Sequence, residues 1–355
     1  MGKPQKSVVP PSLRTDLQRL GSGLQAGLVD VGLLAGCLQG IDGLPPGLIT
    51  RADRDIREAA DLRWRVPFVL QPPSTFLKSL WSKPAPDYFR MLATTEGLER
   101  LFLFHGDGRL RAASLEKLRG GVGSSFILAA IALRLNDWAD MVRPVAWSCL
   151  SDVILRSPRG IVAGGLLAIW SKFDVWTRWK DQDRLVALLS QPERIDLLVE
   201  ALLQVRTGAV AGLVRPLLAR GVLDQALWRL AQHARHPVIR ALAYEVVLYG
   251  GHRSVSAWED RWIDKTALYG VRVPVAWAVK PANGPLPPPG EAMALAATDR
   301  FALVRKTAAQ VLIQVRDQLP NAAEITRILA ADRNRSVREI ALYVAGRLSE
   351  SAPTP

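Results

Sequence analysis

The sequence predicts an all-α protein, an array of stacked helical hairpins behind an irregular helical N-terminal region. Three observations carry this. Hydrophobic residues are 49% of the 355, rich in Leu, Ala and Val, with few alternating β-branched or aromatic runs. Apolar positions recur at three- and four-residue steps, most plainly at Val337, Ile340, Ala341, Val344, Ala345 and Leu348, so one stripe of a helix is apolar and needs a partner. A short signature also returns along the chain: an acid in a polar turn, a hydrophobic-Arg pair, then a small residue. In its last copy Asp332 precedes the helix, where a carboxylate accepts from free N–H groups and meets the positive dipole end.

Residues 1–20 carry Lys3, Lys6, Arg14 and Arg19 and are expected as a basic flexible arm running into a first helix. They lack the apolar run and cleavage pattern of a secretory signal. Residues 21–97 form the irregular helical region. Gly23, Gly27, Gly32, Gly36 and Gly40 favour close helix approach, and Gln25 and Asp30 among them argue for a tightly packed soluble pair rather than a membrane dimer. Arg51 to Arg65 reads as a charged amphipathic helix, followed by loops at Pro67, Pro72-Pro73, Pro84 and Pro86 around Trp81. The longest uncharged apolar stretch, Gly120 to Leu133, is too short to span a bilayer. The array occupies residues 98–350, Pro281 to Gly290 interrupts it as a linker or an elaborated loop, and residues 351–355 are a disordered tail.

The period comes from the hydrophobic-Arg pairs Leu110-Arg111, Val142-Arg143, Val205-Arg206, Ile239-Arg240, Val271-Arg272, Val304-Arg305 and Val337-Arg338. Their arginines are spaced by 32, 63, 34, 32, 33 and 33 residues, and the gap of 63 predicts a degenerate unit at Phe173 to Arg178. Val214-Arg215 competes with Val205-Arg206 for register. An acid stands six residues before the arginine in four units: Asp137 and Arg143, Glu200 and Arg206, Asp299 and Arg305, Asp332 and Arg338. Together with Arg240 these residues are expected to form a structural ladder of paired charges between stacked units. The last helix also has to close the array, with Arg338, Glu339 and Arg347 keeping its outer side wet.

A period near 33 with the Asp, Val-Arg, Ala signature resembles the HEAT-repeat family over roughly residues 98–350, most specifically in Asp299 to Val315 and Asp332 to Leu348. The resemblance implies a right-handed α-solenoid, with partners bound on its concave surface.

Chemistry-bearing motifs are scarce. No Gly-x-Ser-x-Gly, Walker Gly-Lys-Ser/Thr or His-Glu-x-x-His sequence occurs, and the four histidines and two cysteines have no zinc spacing, so no metal or cofactor is expected. Gly120 to Ser125 could cradle an anion at a helix start or serve as an inter-helix loop with a serine cap. The net charge of +13 points to an acidic partner or to a basic background, with local excesses over residues 215–240 and 300–316. Lys172, Trp176, Arg178, Trp179 and Lys180 interleave aromatic and cationic groups and are the candidate binding cluster. Trp170 and Asp174, with Arg206, also resemble the tryptophan, aspartate and arginine set of HEAT-like alkylpurine DNA glycosylases; the alternative places these tryptophans in the core. The expected function is a cytoplasmic, non-catalytic scaffold or adaptor for a protein or peptide partner. Nucleic-acid binding, with or without glycosylase chemistry, is the alternative, and oligomeric state is open.

Overall fold

The computed structural model describes residues 7–63, 86–118, 120–173, 175–178, 182–208, 210–264, 266 and 269–350. The chain is mostly helical, and the described residues form eighteen α-helices and one two-stranded antiparallel sheet. Two compact units divide it, Met1–Leu197 and Leu198–Pro355, so the boundary falls inside the stretch expected as one array.

In the first unit, α1 (Pro11–Gln25) begins inside the segment expected as a flexible arm and packs against α2 (Val31–Asp42) and α3 (Ile49–Ala59). Of the five glycines expected to allow close helix approach, Gly40 does so between helices, and Gly21, outside that set, does so as well. A Cβ on Gly21 would stand 2.3 Å from the Ala60 carbonyl oxygen, and one on Gly40 would stand 2.8 Å from a Leu13 methyl. The proline-marked loops and Trp81 lie outside the described residues except for Pro86. After α4 (Tyr88–Thr94) come α5 (Leu98–Phe102), α6 (Gly108–Lys117), α7 (Ser125–Leu133), α8 (Val142–Arg156), α9 (Arg159–Lys172) and α10 (Gln182–Leu189). The apolar stretch ending at Leu133 becomes the centre of this unit: every residue of α7 from Phe126 to Leu133 is buried, against α2, α3, α8 and α9. Ser124 caps it, its Oγ accepting from the Phe126 and Ile127 N–H groups at 3.2 and 3.4 Å.

The helix α11 (Pro192–Gln204) carries the chain across the boundary, and α12 (Ala211–Ala219) follows. The second unit then repeats one device three times, as hairpins of α13 (Leu227–His233) with α14 (Pro237–Tyr249), α15 (Pro289–Ala297) with α16 (Ala302–Val315), and α17 (Ala322–Ala330) with α18 (Arg335–Glu350). Second helices pack in succession, α14 on α16 and α16 on α18, and α15 contacts α17 in the other layer. The apolar stripe of α18 faces inward, with Val337, Ala341 and Val344 fully covered.

Three expected units are corrected. Val271-Arg272 lies in a β-hairpin of β1 (Gly251–Asp264) and β2 (Tyr269–Pro281), paired from Gly251↔Pro281 to Asp264↔Tyr269 with irregularities around Ala257. The run Val271-Arg-Val-Pro-Val275 alternates at period two, which is strand patterning. Phe173 to Arg178 follow the end of α9, and Val205-Arg206 follow the end of α11, so neither pair starts a second helix.

The β-hairpin is tied to the unit at its base. Gly250, with φ of 68°, ends α14 in the left-handed conformation and turns the chain into β1. His252 Nε2 lies 2.6 Å from Asp224 Oδ1, and Asp224 Oδ2 accepts from the Asn283 N–H at 2.8 Å. Gly284 sits so close that a Cβ would stand 2.0 Å from the Asp224 carbonyl oxygen. Gly284→Ala is therefore expected to push this loop off Asp224 and destabilise the second unit by about 1–3 kcal/mol. Urea denaturation checks this, and an unchanged midpoint counts against the close approach.

Candidate functional site

Three of the four acid-arginine pairs, those built on Asp137, Asp299 and Asp332, resolve into a relay with two kinds of contact. Where a ladder aspartate is present, its carboxylate receives the arginine of the preceding repeat, while the arginine six residues later donates to its main-chain carbonyl. Arg305 Nε and Nη2 donate to the two Asp332 carboxylate oxygens at 2.5 and 3.0 Å, and Arg305 Nη1 donates to the Asp299 carbonyl oxygen at 2.8 Å. Arg240 donates to the Asp299 carboxylate through Nε at 3.0 Å and through Nη2. Arg338 Nη1 donates to the Asp332 carbonyl oxygen at 2.8 Å. In the first unit Arg111 grips the Asp137 carboxylate from Nε and Nη2 at 2.8 and 2.6 Å, and Arg143 Nη1 donates to the Asp137 carbonyl oxygen at 2.8 Å. Each aspartate also accepts from the N–H two residues on, at Ala139, Phe301 and Asn334, which fixes the turn before the helix.

The same-unit pairing expected from the offset of six is thus a side chain to main chain contact, and the charge pair runs between neighbouring repeats. Glu200 and Arg206 are both exposed, and no ion pair joins them among the described residues. Arg240 departs in one respect, since its Nη1 donates to the Gln232 carbonyl oxygen, eight residues back.

Electrostatics follow burial. Burial alone would raise the Asp137 pKa; the hydrogen bond from Arg111 and the charges of Arg134 and Arg111 outweigh it and hold the carboxyl below its ordinary range. At Asp332 the Arg305 hydrogen bond is the largest influence, also downward. Arg134 bridges Asp137 at 3.3 Å and Asp53 on α3, and Arg57 pairs with Asp53 at 2.6 Å, so the buried network reaches into the N-terminal helices.

One member was not foreseen from the acid spacing. His105 stands six residues before Arg111, donates no charge, and fills the aspartate's place. Its carbonyl oxygen accepts from Arg111 Nη1 at 2.6 Å and its Nδ1 accepts from the Asp107 N–H at 2.9 Å. It is buried beside the rings of Tyr88 and Phe102. Burial first, then the Arg111 and Arg57 charges, push its pKa down to about 4 against the opposing pull of Asp107. The offset of six from Arg111 leads straight to it once residues other than acids are admitted.

Two of the candidate aromatic residues lie in the core. Trp170 is buried and stacked on Phe173 with ring centroids 5.2 Å apart, and Trp176 is buried, its Nε1 donating to Thr50 Oγ1 at 3.4 Å. Both are core side chains, as the packing alternative has it for Trp170, and neither offers a ring face for stacking bases. Lys172 is half-buried and Arg178 exposed, while Asp174, Trp179 and Lys180 lie outside the described residues. The glycine-rich loop borders a cavity of about 300 Å³ in which Arg100 already meets Asp42 and Lys117 lies 3.5 Å from Glu99, so the charges of the described residues lining it balance. Among the described residues no three His, Cys, Asp or Glu converge as metal ligands, and no helix is long and apolar enough to cross a membrane.

Exposed apolar groups concentrate instead on the β-hairpin. Trp258, Trp262, Ile263, Tyr269, Val275 and Trp277 are all exposed, and apart from Gly251 and His252 no described residue of either strand is buried. Arginines lie over these rings, Arg253 4.0 Å from the Trp277 centroid and Arg272 5.9 Å from that of Trp258. No protein-family model matches the chain, and no curated protein matches it.

Proposed function

We propose that this chain is a non-catalytic scaffold, an α-solenoid similar to HEAT-repeat proteins, that holds a protein partner and grips it through the β-hairpin. One observation carries the reading: a long two-stranded ribbon whose exposed side chains include three tryptophans. An isolated hairpin is marginally stable in water, and clustered exposed apolar groups mark interaction surfaces. A covering partner would bury both strands, and the arginines at the ring faces suit the aromatic and Arg-rich composition of such contacts. The buried ladder supplies the rigid support behind it.

Replacing Trp258, Trp262 and Trp277 together by serine is expected to leave helical content and thermal midpoint within a few degrees of the parent, and to abolish retention of the proteins that the parent captures reproducibly. Undiminished capture of the same proteins would count against the hairpin as the recognition element. A second reading, single-stranded nucleic acid, is favoured by the alternation of arginine with exposed rings on the same ribbon. It requires binding of a labelled oligonucleotide that weakens steeply with salt and is lost in the same variant.

A further inference from the structure

Among the described residues nothing covers the last step of the relay in the second unit. Four residues after each ladder arginine stands a position that the next hairpin covers: Tyr244 is 2% exposed on α14 beneath α16, and Ala309 is 0% exposed on α16 beneath α18. In the first unit Leu115, four after Arg111, is buried as well, with α8 packed on α6. The equivalent residue on α18 is Leu342, and it is 60% exposed, with Tyr343 beside it also exposed. This is the outer side on which charged residues were expected to keep the last helix wet.

The charge at this position is open too. Arg338 Nη1 donates to the Asp332 and Arg333 carbonyl oxygens at 2.8 and 3.0 Å, and among the described residues no carboxylate meets the guanidinium. At the two preceding steps that place is filled by the turn aspartate of the following hairpin, Asp299 for Arg240 and Asp332 for Arg305. The surroundings are basic. Arg333 and Arg335 are exposed nearby, and Glu339 is engaged by Arg335 at 2.7 Å.

We propose that Arg338 and Leu342 form a docking site for a helical hairpin of a partner protein whose inter-helix turn carries an aspartate. The carboxylate takes the free side of Arg338, and an apolar residue of the partner's second helix covers Leu342, as happens twice within the chain. Gly346, on the same ridge, has open space where a side chain would stand and leaves room for a close helix. The occupant is a different protein rather than a second copy, because Asp137, Asp299 and Asp332 are already held by arginines. The site is independent of the β-hairpin, and the two proposals stand or fall separately.

The probe is a labelled peptide copying residues 317–350, with its own outer face closed by Arg338→Gln and Leu342→Ser, titrated with the full chain. Saturable binding is expected. It should weaken at least tenfold when the peptide carries Asp332→Asn, or when the chain carries Arg338→Gln or Leu342→Asp, and the chain variant Arg338→Glu should regain affinity for a peptide with Asp332→Arg. In a second arm the same segment is fused after Pro355 of a full chain carrying Leu342→Cys, so that folding of a free peptide is not required. Thiol labelling at position 342 is expected to slow at least tenfold, and to recover when the added segment carries Asp332→Asn. Equal binding to the parent and Arg338→Gln chains, or failure of both peptide and fused segment to cover the face, overturns the proposal.

Discussion

Asp137→Asn is expected to destabilise the first unit by about 3–5 kcal/mol, because it leaves buried guanidinium groups without their carboxylate. Arg111 and Asp137 are each 1% exposed at the side chain, and Arg134 leans on the same carboxylate. An asparagine oxygen can still accept from the Ala139 N–H, so the turn survives while the charge is lost. Urea denaturation of parent and variant at pH 7 measures the difference, and a change below about 1 kcal/mol would show that water or rearrangement relieves the arginines. The effect has a pH signature. A carboxyl whose folded pKa is depressed contributes stability that is complete above its unfolded value, near 4, and is lost as pH falls through the folded value. The gap between parent and variant should therefore be constant from pH 7 to 5 and close in more acidic solution.

The second large effect comes from His105 and appears at milder pH. With a folded pKa of about 4 against an ordinary 6.5, this imidazole stays neutral in the fold while the unfolded chain takes up a proton. Its contribution is present above pH 6.5 and is withdrawn as pH falls towards 4, an eventual loss of about 3 kcal/mol. His105→Asn keeps an acceptor for the Asp107 N–H and removes the titrating group. The variant is expected to lose less stability than the parent between pH 6.5 and 5, where Asp137 and Asp332 remain ionised. Parallel slopes for the two proteins across that range would refute the buried neutral imidazole.

The same two sites show how far sequence reasoning reaches. The last two repeats were legible because the whole signature is present, with Asp299 or Asp332, the Val-Arg pair and the following alanine all in place. The partners of the aspartates were not legible. Spacing relates Asp332 to Arg338, yet the helix start between them aims that arginine at the main chain, and the carboxylate is met by Arg305, 27 residues upstream. Only stacked repeats bring those two together. His105 escaped because its ring nitrogen does a carboxylate's work at the turn, a substitution that residue-type patterns do not anticipate. The hairpin was hidden by arithmetic. Arg240 and Arg305 are two periods apart in number but one repeat apart in space, and Val271-Arg272 happens to fall midway. The tryptophans were the least legible, since Trp170 on a helix and Trp176 in the loop after it are both in the core, while Trp258, Trp262 and Trp277 are exposed on strands.

The inserted hairpin also bears on the order in which the second unit assembles. Arg240 reaches Asp299 across 59 residues, whereas Arg305 reaches Asp332 across 27. Closing the longer loop costs only about 0.7 kcal/mol more in chain entropy, so the insertion is thermodynamically mild. Kinetically it places the α14 and α16 junction among the late events, after the two C-terminal hairpins have found each other through nearer contacts. At the ribbon's base the two contacts to Asp224 differ in the same way, His252 meeting it across 28 residues and Asn283 across 59, so the second is expected to close later than the first.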